Sequence, residues 1–265
     1  MLISIIKKII NPLLGKTKHQ FFFETLNKFS LIGMNIGTGT NFKNSGEEYA
    51  LKYIKNNLRR TKEPVIFDVG ANIGNYSLLL NNNFENKAKI YSFEPSKKTF
   101  ERLSLNTRKE KNINLYNLGF GDKNEKITLY SNSDESGLAS IYKRKLGHFK
   151  IEMGQSEEVE IKTIDEFCKN ANIKHIDFLK LDVEGNEKKV LDGVKKMIES
   201  NSVDFIQFEF GGCNIDSKTY FQNFYYLLKD NYKIYRITKD GLYEIKKYKE
   251  EYEIFITTNY LAERK

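Results

Sequence analysis

Residues 65–74 read Val-Ile-Phe-Asp-Val-Gly-Ala-Asn-Ile-Gly, and this stretch decides the fold. The apolar run that follows Pro64 predicts a buried strand, and the glycines predict a turn after it. A helical apolar pattern follows at 76–80. A strand, a glycine-rich turn and a helix in this order bind a ligand at the carboxyl end of a parallel strand, beside the free N–H groups of the helix. The stretch therefore predicts a loop for a nucleoside-type ligand, against the plainer alternative of a tight strand–helix turn.

Strands and helices alternate along the rest of the chain. Further strands are predicted at 89–93, 114–117, 126–130, 159–163, 176–183, 203–210, 233–238, 242–245 and 252–257. Helices are predicted from Ser45 to about Arg59, over 164–171 and over 217–229. We expect an α/β fold, a three-layer α/β/α sandwich with a mostly parallel sheet and a C-terminal antiparallel β-hairpin.

Composition limits the classes of function. The chain has 265 residues, 40% of them hydrophobic, and a formal net charge of +8. This charge permits a polyanionic partner, but the lysines are spread along the chain, and a solvated basic surface is favoured. We predict no nucleic-acid partner, since a concentrated basic stripe with interleaved aromatics is missing.

The cysteines and histidines do not indicate a metal site. Cys168 and Cys213 are too few for a disulfide framework, and the three histidines are isolated in sequence. Cys168 falls on the apolar face of a predicted helix, which favours a buried structural thiol. We expect no metal and a reduced, cytoplasmic location.

The N-terminal residues have a different character. Residues 1–14 place apolar side chains at helical spacing around Lys7 and Lys8, while 15–46 are aromatic- and glycine-rich and predict irregular structure. The first segment permits a weak membrane-surface contact, but a helix docked on the domain or in a homodimer contact is favoured. The sequence shows no apolar run of the roughly 20 residues that a membrane span needs and no signal-peptide pattern.

The glycine loop and the end of the next strand limit the kinds of ligand that the site can bind. A dinucleotide fingerprint needs glycine where this chain has Asn72 and Asn75, so a pyrophosphate is not expected. Glu94, at the end of the second strand, can hold a ribose diol with both carboxylate oxygens. Asp68-x-Gly70-x-x-x-Gly74 suits a nucleoside without phosphates. We predict S-adenosylmethionine, whose ammonium and carboxylate can meet acidic groups and backbone N–H groups.

Charged residues at the end of the 176–183 strand predict acid–base chemistry. Lys180, Asp182 and Glu184 alternate onto one side of the strand. Asp182 first and Glu184 second could deprotonate an acceptor hydroxyl, and Lys180 could hold either carboxylate ionised. A structural ion pair or a helix cap remains the alternative. Glu209 could be a wall of the substrate site or an inward structural carboxylate.

Residues 131–157 interrupt the alternation and lack a clear period. A loop of this length in a compact domain is usually functional or mobile. Ser136 and Ser140 supply small hydroxyl side chains within it. We interpret the segment as a loop that covers the substrate, and a plain mobile insertion remains the alternative.

Several motifs together resemble the FkbM family of S-adenosylmethionine-dependent methyltransferases. They are DVGANIG at 68–74, SFEP at 92–95, LGFGD at 118–122, TIDEF at 163–167, LKLDVEGNE at 179–187 and VLDGV at 190–194. The Ser45-Gly46-Glu47 segment looks like the upstream element of that family, and the resemblance covers about residues 35–210.

The resemblance implies a class I methyltransferase fold, which is Rossmann-like, and transfer to a hydroxyl oxygen of a small-molecule or glycan acceptor. The cofactor-binding residues that we expect are Asp68, Gly70, Ala71, Asn72, Gly74, Glu94, Asn117, Leu118, Gly119 and Asp122. Asp182 and Glu184 would face the reaction. We expect an N-terminal extension over 1–45 and the methyltransferase domain over 46–265. A nucleic-acid methyltransferase and an inactive cofactor-binding protein remain the rival functions.

Overall fold

The computed structural model describes residues 11–38, 45–59 and 62–265. Its strands are β1 (Val65–Val69), β2 (Lys89–Phe93), β3 (Ile113–Tyr116), β4 (Gly119–Phe120), β5 (Glu125–Ser131), β6 (Gln155–Lys162), β7 (Ile176–Leu181), β8 (Val203–Phe210), β9 (Tyr232–Thr238), β10 (Gly241–Glu244) and β11 (Thr258–Arg264). Its α-helices are α1 (Gln20–Gly33), α2 (Glu47–Asn57), α3 (Asn75–Asn83), α4 (Lys97–Thr107), α5 (Ile164–Asn170), α6 (Glu187–Asp192), α7 (Lys195–Glu199), α8 (Cys213–Ser217) and α9 (Phe221–Leu228).

The main sheet has eight strands in the order β10-β9-β11-β8-β7-β1-β2-β3. The five strands from β8 to β3 are parallel, and β11, β9 and β10 join them antiparallel. Side chains alternate between the two faces, so Ile66, Phe178 and Phe205 lie in register on one face with α2 and α3. Phe67 and Leu179 lie on the other face with α5, α6 and α9. The Rossmann-like three-layer sandwich is therefore confirmed.

The C-terminal strands differ from the prediction. The predicted strand at 252–257 is wrong, and the strand is β11, inserted between β8 and β9. Its charged residues hide the strand pattern, but they are bonded: Glu263 accepts a hydrogen bond from Tyr53, and Arg264 pairs with Asp204. The antiparallel hairpin is formed by β9 and β10 at the edge of the sheet.

A small second sheet was not predicted. Its order is β4-β6-β5, and β5 and β6 pair antiparallel over their full lengths. The segment predicted as a loop over 131–157 is therefore shorter and lies between Ser131 and Gln155. Leu129, Val159 and Ile161 form the apolar contact of this sheet. The polar start of β6 has no apolar alternation, which is why the sequence places its beginning too late.

The N-terminal part also differs from the prediction. Residues 15–46 were predicted to be irregular, but α1 is a 14-residue helix with no buried side chain. The segment after it packs on the domain, since Ile36 is buried and the N–H of Gly37 donates to the carbonyl of Thr257. The predicted helix within 1–14 lies largely outside the described residues. No helix in the described part of the chain is long and apolar enough to span a membrane.

Candidate active site

A cavity of about 620 Å³ opens at the carboxyl ends of β1, β2, β7 and β8. The order of the sheet reverses between β1 and β7, and such a reversal creates a crevice for a ligand in open α/β sheets. The volume is within the usual range for small-molecule sites. The fold thus brings the ends of four strands, predicted separately along the sequence, to one cavity.

The glycine loop forms one end of the cavity. Gly70 and Asn72 line it, and both have positive φ angles, 82° and 48°. A Cβ on Gly70 would lie 1.8 Å from the carbonyl oxygen of Asp182, so only glycine allows this approach between β1 and β7. The side-chain oxygen of Asn72 accepts a hydrogen bond from the N–H of Ile73. Asparagine tolerates the left-handed conformation that the turn requires here.

Glu94 connects the loop to β2. Its two carboxylate oxygens accept hydrogen bonds from the N–H groups of Asn72, at 3.0 Å, and of Ser96, at 2.9 Å. Burial raises the pKa of Glu94 to about 7, although both hydrogen bonds oppose the shift. The carboxylate lines the cavity next to Pro95. Each oxygen has a further lone pair with which to accept a ligand hydroxyl.

The predicted residues after β3 are only partly at the cavity. Gly119 lines it, whereas Asn117 and Asp122 are exposed and Leu118 belongs to the core. The side chain of Asn117 donates to the carbonyls of Glu94 and Pro95, which fixes the backbone of that turn. These three expected cofactor contacts are therefore displaced from the cavity lining. Phe120, which the sequence analysis did not propose, lines it instead.

Asp68 and Lys180 lie beneath the cavity and do not line it. Asp68 is fully buried and accepts a hydrogen bond from Ser77 at 2.6 Å. The Nζ atom of Lys180 lies 3.6 Å from Asp68, 3.1 Å from Asp182 and 4.6 Å from the ring centroid of Tyr76. Burial alone would lower the pKa of Lys180, but the charges of Asp182 and Asp68 raise it. Lys180 thus remains a buried cation that holds the Asp182 carboxylate.

Two other residues of the predicted cofactor loop are also away from the cavity lining. Ala71 is buried, and its N–H donates to the carbonyl of Phe93. Gly74 precedes α3 and packs against Leu103, where a Cβ would come within 2.8 Å of that side chain. Both residues shape the turn between β1 and α3.

Glu184 follows β7 and faces the cavity with a positive φ of 50°. Its carboxylate is paired with the guanidinium of Arg144, a residue of the loop between β5 and β6. Burial, and next the charge of Asp182, raise the pKa of Glu184 to about 8, against the opposing charge of Arg144. Arg144 was not predicted as a site residue, because nothing in its lysine-rich surroundings distinguishes it.

Ser136 and Ser140, the two predicted substrate residues, differ in position. Ser136 lines the cavity, and its hydroxyl donates to Asn132 and accepts from the N–H of Leu138. Ser140 is buried, and its hydroxyl donates to the carbonyl of Glu184 at 2.7 Å. Ser140 therefore tethers the loop to the end of β7 and does not reach the cavity.

The far wall consists of Glu209, Cys213 and the segment 255–257. Within the described residues, the Glu209 carboxylate makes no side-chain hydrogen bond and no ion pair. Burial, together with the charges of Asp182 and Glu184, raises the pKa of Glu209 well above its usual value. The segment 255–257 was predicted as a strand, so its part in the cavity was not expected. Arg144 is the one basic residue among the cavity-lining residues of the described chain.

A second polar cluster lies at the opposite ends of β7 and β8. His175, Asp177 and Asp204 place potential ligand atoms within 4.8 Å of one another. The contacts of these three side chains indicate a structural role. Asp204 pairs with His175 at 2.9 Å and with Arg264, and Asp177 accepts the N–H of Val65. These bonds join the starts of three strands and the end of β11.

Residues 68–235, more than half of the chain, match the family model described as the methyltransferase FkbM domain. The chain belongs to the FkbM family of S-adenosylmethionine-dependent methyltransferases. Its glycine loop, its acidic strand ends and part of its C-terminal sheet fall within the matched residues.

Two curated members of similar sequence are known by function. The chain is 26% identical over 145 residues to the 2-O-methyltransferase NoeI of Sinorhizobium fredii, covering 51% of this chain and 59% of that protein. It is 27% identical over 145 residues to the hexuronic acid methyltransferase AglP of Haloferax volcanii, covering 55% of each. The chain thus spans less than two thirds of the length of these curated relatives.

A solved structure of an FkbM methyltransferase from Methylobacillus flagellatus is also similar. It aligns with 78% of this chain and 45% of that one, at 16% identity and a TM-score of 0.47.

Proposed function

We propose that the protein transfers the methyl group of S-adenosylmethionine to a hydroxyl oxygen of a sugar in a glycan or a glycan precursor. The observation that carries this proposal is the cavity itself, in which the glycine loop and Glu94 meet the acidic ends of β7 and β8. The family uses this cofactor, and the names of NoeI and AglP support a sugar hydroxyl as the acceptor.

The residues at one end of the cavity fit the cofactor. The Glu94 carboxylate has lone pairs left for the two ribose hydroxyls after accepting the N–H groups of Asn72 and Ser96. Pro95, Phe120 and Ile161 form an apolar wall suited to the adenine ring. The absence of a side chain at Gly70 lets the ligand approach the backbone closely. The positively charged ammonium and sulfonium groups of the cofactor have acidic partners at the β7 end, Asp182 and Glu184.

The cofactor supplies a methyl group that is already activated on a sulfonium sulfur. The protein must mainly align the acceptor oxygen with that methyl group, and positioning of this kind supplies about 7–11 kcal/mol of barrier reduction. An acidic residue at the strand ends takes the hydroxyl proton, which contributes about 10²–10⁴ in rate. Residues of the loop from Ser136 to Phe149 line the cavity, and in this proposal the loop closes over the bound substrates and excludes water.

A sugar acceptor fits the chemistry of the other end of the cavity. Carboxylates such as Asp182 accept hydrogen bonds from sugar hydroxyls, and Phe149 and Phe255 offer apolar surface to the C–H faces of a sugar ring. Both aromatic side chains reach the cavity from segments outside the main sheet. The site thus combines a wall for hydroxyl groups with a wall for ring faces.

The experiment that tests this function has two stages. Calorimetry should first detect binding of S-adenosylmethionine, and failure to bind would end the proposal. A screen with labelled cofactor against sugars, oligosaccharides and surface-glycan precursors should then yield a methyl ether that withstands mild base, unlike a methyl ester. Methyl transfer to RNA or DNA alone, sensitive to salt, would instead support a nucleic-acid methyltransferase.

A further inference from the structure

Within the described residues, four carboxylates line the cavity, and three of them are already engaged. Glu94 accepts two backbone N–H groups. Asp182 lies 3.1 Å from the ammonium group of Lys180, and Glu184 is paired with Arg144. A carboxylate that is held by a fixed cation is a weaker base than a free one, because accepting a proton would break that pairing.

The fourth carboxylate, Glu209, is different. It lies one residue before the end of β8 and lines the cavity, and its side chain makes no hydrogen bond or ion pair within the described residues. Glu209 is half-buried, and its carboxylate stands at the cavity wall without a partner among the described protein residues, so it is available to a ligand bound there. We expect the hydroxyl group of an acceptor bound in the cavity to donate a hydrogen bond to Glu209.

Burial, and next the charges of nearby carboxylates, raise the pKa of Glu209 well above its usual value. Asp182 and Glu184 approach from the end of β7, and Glu187 approaches from α6. Lys180, beneath the cavity, acts in the opposite direction. Cys213 is the neighbouring thiol on α8, and Arg144 is engaged with Glu184. The surroundings of Glu209 thus carry more negative than positive charge, and a bound cation would favour its ionised form.

We propose that Glu209 is the catalytic base of this site, an inference that rests on the proposed methyl transfer. The acceptor oxygen gives its proton to the Glu209 carboxylate and forms a bond to the methyl carbon. The bond from that carbon to sulfur breaks, and its electron pair stays on the sulfur, which becomes neutral. The proton on Glu209 then leaves to solvent when the products are released.

The role of Glu209 can be tested by cofactor binding alone, without an acceptor. The positively charged cofactor should favour ionised Glu209, so its binding should release a proton to solvent near neutral pH. The demethylated product, S-adenosylhomocysteine, has a neutral sulfur and should release less. The difference in proton release between the two ligands measures the ionisation of the protein group nearest the sulfonium.

Calorimetry in two buffers of different ionisation enthalpy measures these protons. The wild-type protein should release more protons with S-adenosylmethionine than with S-adenosylhomocysteine, and Glu209→Gln should remove the difference. Glu101→Gln, at an exposed position on α4 outside the cavity, should retain it. A difference that persists in Glu209→Gln but vanishes in Asp182→Asn would overturn the assignment and indicate Asp182 as the base.

Methyl transfer supplies the second readout. With an acceptor that the wild-type protein methylates, Glu209→Gln should lower kcat by about 10²-fold or more while the cofactor Kd changes less than about threefold. Full activity of Glu209→Gln, with an unchanged pH profile, would overturn this proposal alone. Failure of the wild-type protein to bind the cofactor would instead overturn the proposed function.

Discussion

The carbonyl oxygen of Asp182 lies against Gly70 so closely that a Cβ on Gly70 would come within 1.8 Å of it. This contact joins the end of β1 to the end of β7, whose residues are neighbours in the parallel ladder. The proposed cofactor end and the proposed acceptor end of the cavity therefore share one backbone contact. A side chain at Gly70 would push the ends of β1 and β7 apart and would disturb both ends of the cavity.

Gly70→Ala is expected to destabilise the protein and to abolish cofactor binding. The positive φ at Gly70 alone costs a non-glycine residue about 1–3 kcal/mol, and the overlap with Asp182 adds to it. Gly137→Ala is the matched control, since Gly137 also lines the cavity but a Cβ there meets only Asn72, at 3.8 Å. Thermal unfolding and calorimetry would measure both effects. Similar losses in the two variants would contradict this account.

Cofactor affinity is expected to depend on the protonation of Glu94. Burial raises the pKa of Glu94 to about 7, so the carboxylate that accepts ribose hydroxyls is lost as the pH falls through that value. Affinity for S-adenosylhomocysteine should fall about tenfold between pH 8 and pH 6. Glu94→Gln should bind more weakly at pH 8 and lose this pH dependence. An unchanged pH dependence in Glu94→Gln would show that another group titrates.

The parallel strands could be predicted from sequence because they are buried on both faces. The bounds of β1, β2 and β8 agree with the prediction, since each is rich in β-branched and aromatic residues and is followed by a polar or glycine residue. The end of the β7 prediction is two residues too long because Asp182 and Val183 continue its pattern. Because such strands are buried on both faces, their hydrophobic pattern and their ends can be recognised in the sequence.

The missed features depend on contacts between distant segments. Arg144 acquires its role through Glu184, 40 positions away, and lies 4.0 Å from the carboxylate of Asp216. β11 carries Glu263 and Arg264, whose partners on other elements cannot be seen in its own sequence. The segment 255–257 has a strand-like composition, but it forms a wall of the cavity. Local patterns therefore predicted which strand ends meet at the cavity, but not the contacts that distant segments make there.

Removing the buried cation beneath the cavity is expected to destabilise the fold. Lys180→Met would leave the partly exposed Asp182 and the buried Asp68 without their cation, and leaving a buried charge such as Asp68 unpaired costs about 3–5 kcal/mol. Burial already raises the pKa of Asp68, and that of Glu47 nearby, and the loss of Lys180 would raise both further. A carboxyl group whose pKa is higher in the folded than in the unfolded protein lowers the free energy of unfolding as the pH rises. The destabilisation by Lys180→Met should therefore be greater at pH 8 than at pH 6.

Urea unfolding at the two pH values would measure the effect of Lys180→Met. Lys126→Met is the control, because Lys126 forms an exposed pair with Glu158 and should contribute less than about 1 kcal/mol. A loss in Lys180→Met that is small and independent of pH would show that the carboxylates beneath the cavity are neutral without their cation.

The pair between Arg144 and Glu184 is expected to hold the covering loop on the cavity. Arg144→Met removes this pair but leaves the Ser140 hydroxyl bonded to the carbonyl of Glu184, so the loop should open more often without unfolding. The destabilisation should stay below about 3–5 kcal/mol near neutral pH, because Glu184 can take up a proton, and it should grow as the pH rises above 8.

Hydrogen exchange of residues 132–154 would measure the opening caused by Arg144→Met. Lys143→Met is the matched control: it removes one positive charge at the adjacent, exposed position and should leave exchange unchanged. Faster exchange in Arg144→Met alone would link the closed loop to the specific pair, and the acceptor KM should rise with it. Equal effects of the two substitutions would instead attribute loop closure to the overall positive charge of the loop, an effect that added salt would screen.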